Sequence, residues 1–323
     1  MLLVASALLA ESVPAASTAA WATRPRVVLV TYNCSDSFLC PAFEKALRAT
    51  RVSGRIISPD PREDPVGTLS LLAAQGFDPV IVDPDHTDGL ATVAARFPRT
   101  HFVVVDRSLA SLRVRLHNVQ AVVFQPREAA YLAGWLAARL AMRRPGPDVI
   151  GAVGGMRIPT VDGFITGFSA GAKHADPTIT VLTSYSNDFV DVNKCEAIAT
   201  TQIAHGASVV FNVAGACGLG TLAAAKQAGV WGIGVDTDQS ILGPFVLTSV
   251  IKRYDVAFLG LLRQLRSGRL LTRGGTTVLG LRNGGATLGP ISPKVPVSLL
   301  AGLSRVRRQI VDGELRVPTS PDR

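Results

Sequence analysis

The stretch ASVVFNVAGACGLGTLAAAKQAGVWGIGVD (207–236) decides the fold. It begins and ends with apolar runs of strand length, ASVVFNVA (207–214) and VWGIGVD (230–236), and neither alternates apolar with polar residues. Such runs are typical of strands buried on both faces of a parallel sheet. Between them, residues 219–228 show a helical pattern that ends at Gly229, a residue suited to a helix C-terminus. The stretch therefore predicts a β-α-β unit.

The same alternation extends over the rest of the chain. Helical patterns cover residues 128–142, 160–174 and 190–205. Six further apolar runs have strand length: RVVLVT (26–31), PVIVD (79–83), HFVVVD (101–106), VQAVVF (119–124), DVIGAV (148–153) and TTVLGL (276–281). Strands that alternate with helices predict an α/β fold with doubly wound parallel sheets. The strands are too many for one sheet of ordinary size, so we expect two similar domains, for which 323 residues suffice.

Composition and charge favour a globular protein that does not bind nucleic acid. Apolar residues make up 47% of the chain and charged residues 18%, which argues against disorder. The formal net charge of +9 comes mostly from arginines, and only the tail around Arg305, Arg307 and Arg308 is locally dense in them. Because the other arginines form no stripe interleaved with aromatic residues, a solvated basic surface explains them better than a nucleic-acid site.

Residues 1–24 are predicted to be an export leader. MLLVASALLA (1–10) is a short apolar run, and small residues follow it through Ala20, with candidate cleavage sites near Ala16 and Ala20. No Lys or Arg precedes the run, and no Cys follows it within the leader. The run is too short to span a bilayer. We expect an exported protein, periplasmic or associated with the cell surface, without a lipid anchor.

Four cysteines fit an oxidising compartment. Cys34 and Cys40 flank one short loop and are candidates for a disulfide, and Cys195 and Cys217 are candidates for a second. Four free thiols are the alternative, and the sequence leaves the pairing open. The cysteines lack paired CxxC spacing and lie apart from the five histidines, so we expect no metal site.

The residues that end the apolar strands indicate where a ligand binds. In doubly wound folds, ligands bind beyond the carboxyl ends of the strands. Asp236 ends one apolar run and Asp106 another, which favours a ligand role for Asp236. Gly215 and Gly218 lie between a strand and a helix, in the spacing GxxGxG, which differs from the dinucleotide fingerprint. They either contact the ligand or simply allow a tight turn.

Catalytic signatures are weak, and we expect neither an enzyme nor a cofactor. No GxSxG motif is present, and no histidine has a nucleophile at a recognisable spacing. The mixture of carboxylates, amides, aromatics and glycines at the strand ends suits a neutral polar ligand with hydroxyl groups and a flat face.

Several motifs, in order along the chain, resemble the basic membrane protein (BMP) family of ABC-transporter substrate-binding proteins, which includes nucleoside-binding lipoproteins. They are FQPREAAYLAGWLA (124–137), GAVGGMRIPTVDGFITGFSAGAK (151–173), AGACGLGTLAAAKQAGVWGIGVDTDQ (214–239), VLTSVIKRYDVA (246–257) and LGLRNGGATLG (279–289). The resemblance implies a type I periplasmic-binding-protein fold, with two Rossmann-like lobes joined by three hinge crossovers.

The resemblance also implies where the lobes divide. The crossovers are expected near 118–122, after Asp236 and near 272–276. The N-terminal lobe would then comprise residues 25–120 plus 238–273, and the C-terminal lobe residues 121–237 plus 274–323. The tail after residue 290 is expected to pack on the second lobe.

The resemblance further implies a set of site residues for a nucleoside. Phe38 and Phe211 match the two rings that stack on the base, although Phe211 could instead be a core residue. Asp236 and Lys252 match the groups that hold the ribose, and Asp106 matches a carboxylate that faces the ligand. The first loop departs from the family pattern, and there Asn33 and Asp36 are expected to act from shifted positions.

The function expected from the resemblance is that of a monomeric solute-binding protein. It would close its lobes around a small polar ligand, such as a purine nucleoside, and deliver that ligand to an ABC permease complex. The alternatives are a ligand-sensing regulator with the same fold, a protein that binds a sugar or another solute, and, least favoured, an α/β enzyme.

Overall fold

The computed structural model describes residues 26–32, 34, 38–268 and 274–319. The first part of the chain alternates strands and helices in the order β1 (Arg26–Val30), α1 (Leu39–Thr50), β2 (Ser53–Ile57), α2 (Pro65–Ala74), β3 (Val80–Val82), α3 (Leu90–Arg96), β4 (Phe102–Val105), α4 (Leu109–Leu112) and β5 (Val119–Phe124). The expected export leader lies outside the described residues.

The second part repeats the alternation. Its elements are α5 (Arg127–Ala141), β6 (Val149–Gly154), α6 (Pro159–Ala175), β7 (Thr180–Tyr185), α7 (Val192–Ala204), β8 (Ala207–Val213), α8 (Gly218–Ala228), β9 (Trp231–Asp236) and β10 (Val246–Lys252). The chain ends with α9 (Tyr254–Arg266), β11 (Gly275–Leu279), β12 (Ala286–Leu288) and α10 (Val297–Asp312).

The strands form two sheets of the same topology. The order in the first is β11-β5-β4-β3-β1-β2, and in the second β12-β10-β9-β8-β6-β7. Only β12 is antiparallel to its neighbour among the described strands. The strand order reverses between β1 and β3 in one sheet and between β6 and β8 in the other. Such switch points are where open α/β sheets bind ligands. The prediction of two doubly wound lobes is confirmed.

Both sheets are covered by helices on each face. In the first lobe, α1 and α9 pack on one face around Phe43 and Phe258, and α2 and α3 pack on the other around Leu69 and Val93. In the second lobe, α5, α6 and α10 bury one face, and α7 and α8 cover the other. The tail therefore does pack on the second lobe, where Leu299, Leu303, Val306 and Ile310 form the buried stripe of α10.

The chain passes between the lobes at three crossovers, which differ from the expected positions. The chain leaves the first sheet after β5, leaves the second after β10, and passes from β11 in the first sheet to β12 in the second. The expectation that residues 238–273 belong to the first lobe is therefore wrong for β10, which extends the second sheet by pairing with β9. Likewise β5 and β11 lie in the first lobe, since β11 pairs with β5.

Backbone hydrogen bonds tie the three crossovers together. Gln125 N donates to Leu279 O at 2.7 Å, and Arg253 N donates to Gly285 O at 2.8 Å. The Glu128 side chain accepts from Leu281 N at 3.1 Å. The three connections therefore form one bonded unit at one side of the interlobe cleft.

Candidate functional site

A cavity of about 560 Å³ lies between the lobes, beyond the carboxyl ends of both sheets. The first lobe contributes residues that follow β1, β3 and β4 together with the start of α1 and α9: Thr31, Tyr32, Phe38, Leu39, Asp83, Pro84, Asp85, Asp106 and Tyr254. The second lobe contributes Ile158, Thr160, Val161, Phe164, Phe189, Val213, Gly215, Ala216, Val235, Asp236 and Lys252. The cavity has the size of a small-molecule site.

Three charged side chains form the floor of this cavity and join the two lobes. Lys252, at the end of β10, places its Nζ atom 2.7 Å from Asp106 Oδ2 and 3.4 Å from Asp236 Oδ1. Asp106 follows β4 of the first sheet, whereas Asp236 ends β9 of the second. The lysine side chain is 6% exposed, against 14% for Asp106 and 23% for Asp236. The ammonium group is thus enclosed, and the carboxylates face the cleft.

Burial and neighbouring charges shift the pKa values of Lys252, Asp236 and Tyr254 in this cavity. Burial alone would lower the pKa of Lys252, but the charges of Asp236 and Asp106 outweigh it and hold that pKa above its usual value. Burial also raises the pKa of Asp236, and Lys252 offsets only part of this effect. Burial, followed by the charge of Asp106, raises the pKa of Tyr254, so its hydroxyl stays protonated and donates to Asp106 Oδ2 at 3.1 Å.

Asp236 is the member of the floor with the most remaining capacity to accept hydrogen bonds. Its Oδ1 atom lies near Lys252 but has no hydrogen-bond partner of good geometry among the described residues. A buried carboxylate oxygen without such a partner is costly unless a ligand supplies a donor. The arrangement therefore calls for hydroxyl or amine donors in the cleft.

Both carboxylates of the floor stand on strained backbone. Asp106 has φ 61° and Asp236 has φ 63°, both in the left-handed region that residues other than glycine seldom adopt. The two residues occupy equivalent places in their sheets. Each lies at the carboxyl end of the strand that neighbours the one from which the chain crosses to the other lobe. Strain of this kind concentrates at functional sites, which agrees with the assignment of both residues to the site.

Two aromatic rings line the cleft from opposite lobes. Phe38 precedes α1, is 37% exposed, and lies 5.1 Å from the Tyr254 ring between centroids. Phe189 lies in the loop after β7, and its ring packs so closely on Gly155 that a Cβ atom there would overlap it. A flat ligand can therefore contact an aromatic face in each lobe.

Phe211 is not one of these rings. It is fully buried in β8, a central strand whose seven residues are all buried, and its ring lies 5.1 Å from Phe168 between centroids. The prediction that Phe211 stacks on the ligand is therefore wrong, because its side chain points into the core beneath α5 and α6. Phe189 was not assigned a role from the sequence, although it belongs to a loop that follows a strand of the same sheet.

The two glycines of the third predicted motif have different roles. Gly215 lines the cleft and has φ 57°, which a glycine adopts without strain. Gly218 does not line it; it packs on the Asn212 side chain, and a Cβ atom would overlap that amide. The turn explanation therefore suffices for Gly218. Asn33 and Asp36 lie outside the described residues.

An acidic wall in the first lobe lies at strand ends, although no residue of it was assigned a role from the sequence. Asp83 accepts from His86 Nδ1 at 2.7 Å, and the Tyr32 ring stacks 3.6 Å from the His86 ring between centroids. Burial and the neighbouring charge of Asp83 raise the pKa of Asp85. Tyr32, Asp83 and Asp85 all follow strand ends, where a ligand is expected, and all three line the cavity.

Both candidate cysteine pairs are joined in the structure. Cys34 and Cys40 bracket the segment that carries Phe38, with 5.5 Å between their Cα atoms. Cys195 in α7 and Cys217 before α8 are bonded inside the second lobe, with 5.6 Å between their Cα atoms.

The described part of the chain contains no cluster of three or more potential metal ligands. None of its helices combines the length and hydropathy of a membrane span.

Comparison with known proteins decides the family. A model of the Bmp family, described as ABC transporter substrate-binding protein PnrA-like, matches residues 45–320. The chain belongs to this Bmp family. Members of the family are substrate-binding proteins of ABC transporters and not enzymes, so this Bmp-family protein has a small-molecule ligand and a permease complex as its partners.

Curated relatives agree with this assignment. Basic membrane protein B of Borrelia garinii subsp. bavariensis is 33% identical over 78% of this chain and 73% of its own length. The ABC transporter nucleoside-binding protein BmpA of Lactococcus lactis subsp. cremoris is 31% identical over 72% of this chain and 68% of its own length.

Solved structures share the fold. An ABC-transporter solute-binding protein from Conexibacter woesei is 26% identical, with a TM-score of 0.74 over 91% of this chain and 99% of that one. Another from Aeropyrum pernix K1 is 22% identical, with a TM-score of 0.76 over 92% of this chain and 94% of that one. The expected type I periplasmic-binding-protein fold is confirmed.

Proposed function

We propose that this Bmp-family protein binds a nucleoside in its interlobe cleft and delivers it to an ABC importer. The observation that carries the proposal is the floor of the cleft, where Asp236 presents unused acceptor capacity beside Lys252 and Asp106. One carboxylate accepts hydrogen bonds from two vicinal hydroxyls, and bonds to a charged acceptor are stronger than neutral ones. A ribose supplies such a pair of hydroxyls.

The walls of the cleft support a flat base at the other end of the ligand. Phe38 and Phe189 line the cavity from different lobes, and stacking on aromatic rings contributes about 1–3 kcal/mol per base. The name of the Lactococcus relative, a nucleoside-binding protein, points in the same direction. We therefore place the ribose on the charged floor and the base between the rings.

Hinge closure is the proposed mechanism. The ligand contacts come from both lobes, and three bonded crossovers lie at one side of the cleft, so rotation about them would enclose the ligand. The closed form would then be recognised by the permease outside the cytoplasm, and the binding protein would act as a monomer. Small-angle scattering tests this step: compaction on ligand addition is expected, and an unchanged radius of gyration at saturation contradicts closure.

The ligand class is tested by a thermal-shift screen of the chain without residues 1–24. Nucleosides, free bases, pentoses and hexoses are compared at a concentration near one hundred times the dissociation constant, where binding adds about 2.7 kcal/mol of stability. Stabilisation by nucleosides that Asp236→Asn reduces supports the proposal. Stabilisation by sugars alone means that the cleft serves another solute class, and no stabilisation by any of these solutes contradicts the proposal.

A further inference from the structure

A second cavity, of about 590 Å³, adjoins the interlobe cleft on the side of the first crossover. The two cavities share five lining residues, namely Pro84, Asp85, Asp106, Ile158 and Thr160. Asp106 belongs to the charged floor, so a group attached to the sugar end of a ligand would reach the second cavity directly.

Two guanidinium groups distinguish this cavity from the acidic cleft. Arg107 and Arg127 both line it, one from the loop after β4 and one from the first turn of α5. Neither forms an ion pair with another described residue. The Arg127 Nε atom is buried and has no hydrogen-bond partner in the described part of the chain. An arginine left in this state calls for an acceptor, and oxyanions match its geometry best.

Arg107 is held in place, whereas Arg127 keeps its donors for a ligand. Arg107 Nη1 donates to Thr87 Oγ1 at 2.6 Å and to Pro84 O at 3.2 Å. These bonds position the guanidinium group and leave its other nitrogens without a described partner. The two arginines therefore supply several N–H donors, of which most are unused.

Two helices also begin at this cavity. Pro126, before α5, and Ile158, before α6, provide no side-chain cap, and Thr160 and Gly163 of the first turns of α6 are in the lining. The acidic residue of each first turn is engaged elsewhere, since Glu128 accepts from Leu281 N and Asp162 accepts from the Tyr185 hydroxyl. Uncapped N-termini of helices this long favour an anion.

Two carboxylates, Asp85 and Asp106, also line this cavity, but they do not cancel its preference for an anion. Asp106 is already paired with Lys252 at 2.7 Å and accepts from the Tyr254 hydroxyl. Burial, and then the charge of Asp83, raise the pKa of Asp85, although the charges of His86 and Arg107 oppose this rise. A further negative charge nearby would raise that pKa again, which eases protonation of the carboxyl.

We propose that the second cavity is an oxyanion subsite for phosphate, bound either as a substituent on the sugar of the ligand or as a free ion beside it. The substituent form rests on the proposed nucleoside site, whereas the subsite itself rests on Arg107 and Arg127. When the phosphate is a substituent on the sugar, the cleft accepts nucleoside monophosphates as well as nucleosides. Arg127 is then the residue that allows the monophosphate to bind.

The test compares a nucleoside with its 5′-monophosphate by titration calorimetry in a low-salt buffer. The variants are Arg127→Gln, Arg127→Lys and, as a matched control on the same helix, Arg139→Gln, whose guanidinium lies over Trp135 and outside both cavities. We expect the wild type to bind the monophosphate at least as tightly as the nucleoside. Arg127→Gln should weaken the monophosphate about tenfold or more and leave the nucleoside unchanged.

The remaining outcomes separate this proposal from the nucleoside site. Arg127→Lys should retain part of the monophosphate affinity, because it keeps the charge but loses the planar fork. Tighter nucleoside binding in the presence of inorganic phosphate, lost in Arg127→Gln, supports the free-ion form. A monophosphate that binds far more weakly than the nucleoside, with no Arg127-dependent effect of inorganic phosphate, overturns the subsite while the nucleoside site stands.

If neither organic ligand binds, the proposed function fails and the subsite is judged on inorganic phosphate alone. Thermal stabilisation by phosphate that Arg127→Gln removes and Arg139→Gln preserves supports the subsite. The absence of any such stabilisation overturns it.

Discussion

Lys252 Nζ lies 2.7 Å from Asp106 Oδ2, and this ion pair joins the two lobes at the floor of the cleft. The lysine ends β10 of the second sheet, immediately before the chain crosses to the first lobe, while the aspartate follows β4 of the first sheet. Because Asp236 also lies 3.4 Å from the same ammonium group, one buried cation organises carboxylates from both lobes. The contact thus couples the geometry of the ligand site to the relative position of the lobes.

Replacing the central cation should damage both stability and binding. Lys252→Met leaves Asp106 and Asp236 facing each other without a counter-ion, and we expect the free energy of unfolding to fall by about 3–5 kcal/mol. Urea denaturation followed by circular dichroism measures this change. The matched control is Lys226→Met, because Lys226 is an exposed residue near the end of α8. Equal stability of the two variants contradicts the role given to Lys252.

As the pH is lowered, ligand affinity should begin to fall at a higher pH than the usual pKa of an aspartate would give. Burial raises the pKa of Asp236, so this carboxyl takes up a proton above the usual range for Asp as the pH falls. The ligand hydroxyls favour the ionised form, and binding in this pH range should therefore release a proton. Calorimetry in buffers of different ionisation enthalpy measures that release. A proton release that is unchanged in Asp236→Asn would show that another group titrates.

The two aromatic rings of the cleft should affect binding and leave the fold largely intact. Phe38→Ala and Phe189→Ala each remove one stacking face, and we expect nucleoside affinity to fall by about 1–3 kcal/mol, with little effect on pentose binding. Phe211→Leu, in the core, should instead lower the stability by about 1–3 kcal/mol and leave the dissociation constant unchanged. Titration and urea denaturation of the three variants separate these effects, and a Phe211 variant that loses affinity at full stability contradicts the placement of that ring.

The two disulfides should differ in how much they stabilise the fold. The Cys195–Cys217 bond closes a segment of 22 residues and the Cys34–Cys40 bond one of 6. From chain entropy, removal should cost about 3 kcal/mol for the longer segment and about 2 kcal/mol for the shorter one. Double Cys→Ala variants of each pair, unfolded in urea, test the order of the two costs. A larger loss from the first-loop pair would mean that it does more than close a short segment.

The sequence predicted the architecture better than the boundaries of the lobes. Eight apolar runs match β1, β3, β4, β5, β6, β8, β9 and β11. The edge strands β2 and β7 were missed, because their exposed faces carry polar residues and they lack a continuous apolar run. β10 and β12 were not among these runs either. β10 was assigned to the wrong lobe, because an apolar pattern does not show which sheet a strand joins.

The charged floor of the site was predictable, whereas the second aromatic ring was not. Asp106, Asp236 and Lys252 meet because the carboxyl ends of parallel strands converge on the cleft, and each residue ends or follows a strand. Whether Phe211 contacts the ligand depends on the direction of its side chain in β8, and whether Phe189 does depends on the conformation of the loop after β7. Apolar patterns in the sequence encode neither. The complete burial of Phe211 and its packing on Phe168 show that it is a core residue.

The most direct test of the central claim is a calorimetric titration of the wild-type protein with a nucleoside and with its 2′,3′-dideoxy analogue. We predict that loss of the two hydroxyls weakens binding by at least about tenfold, because Asp236 then keeps an unsatisfied acceptor. In Asp236→Asn the difference between the two ligands should shrink. Equal affinity of the wild type for both ligands would contradict the claim that the charged floor holds a ribose.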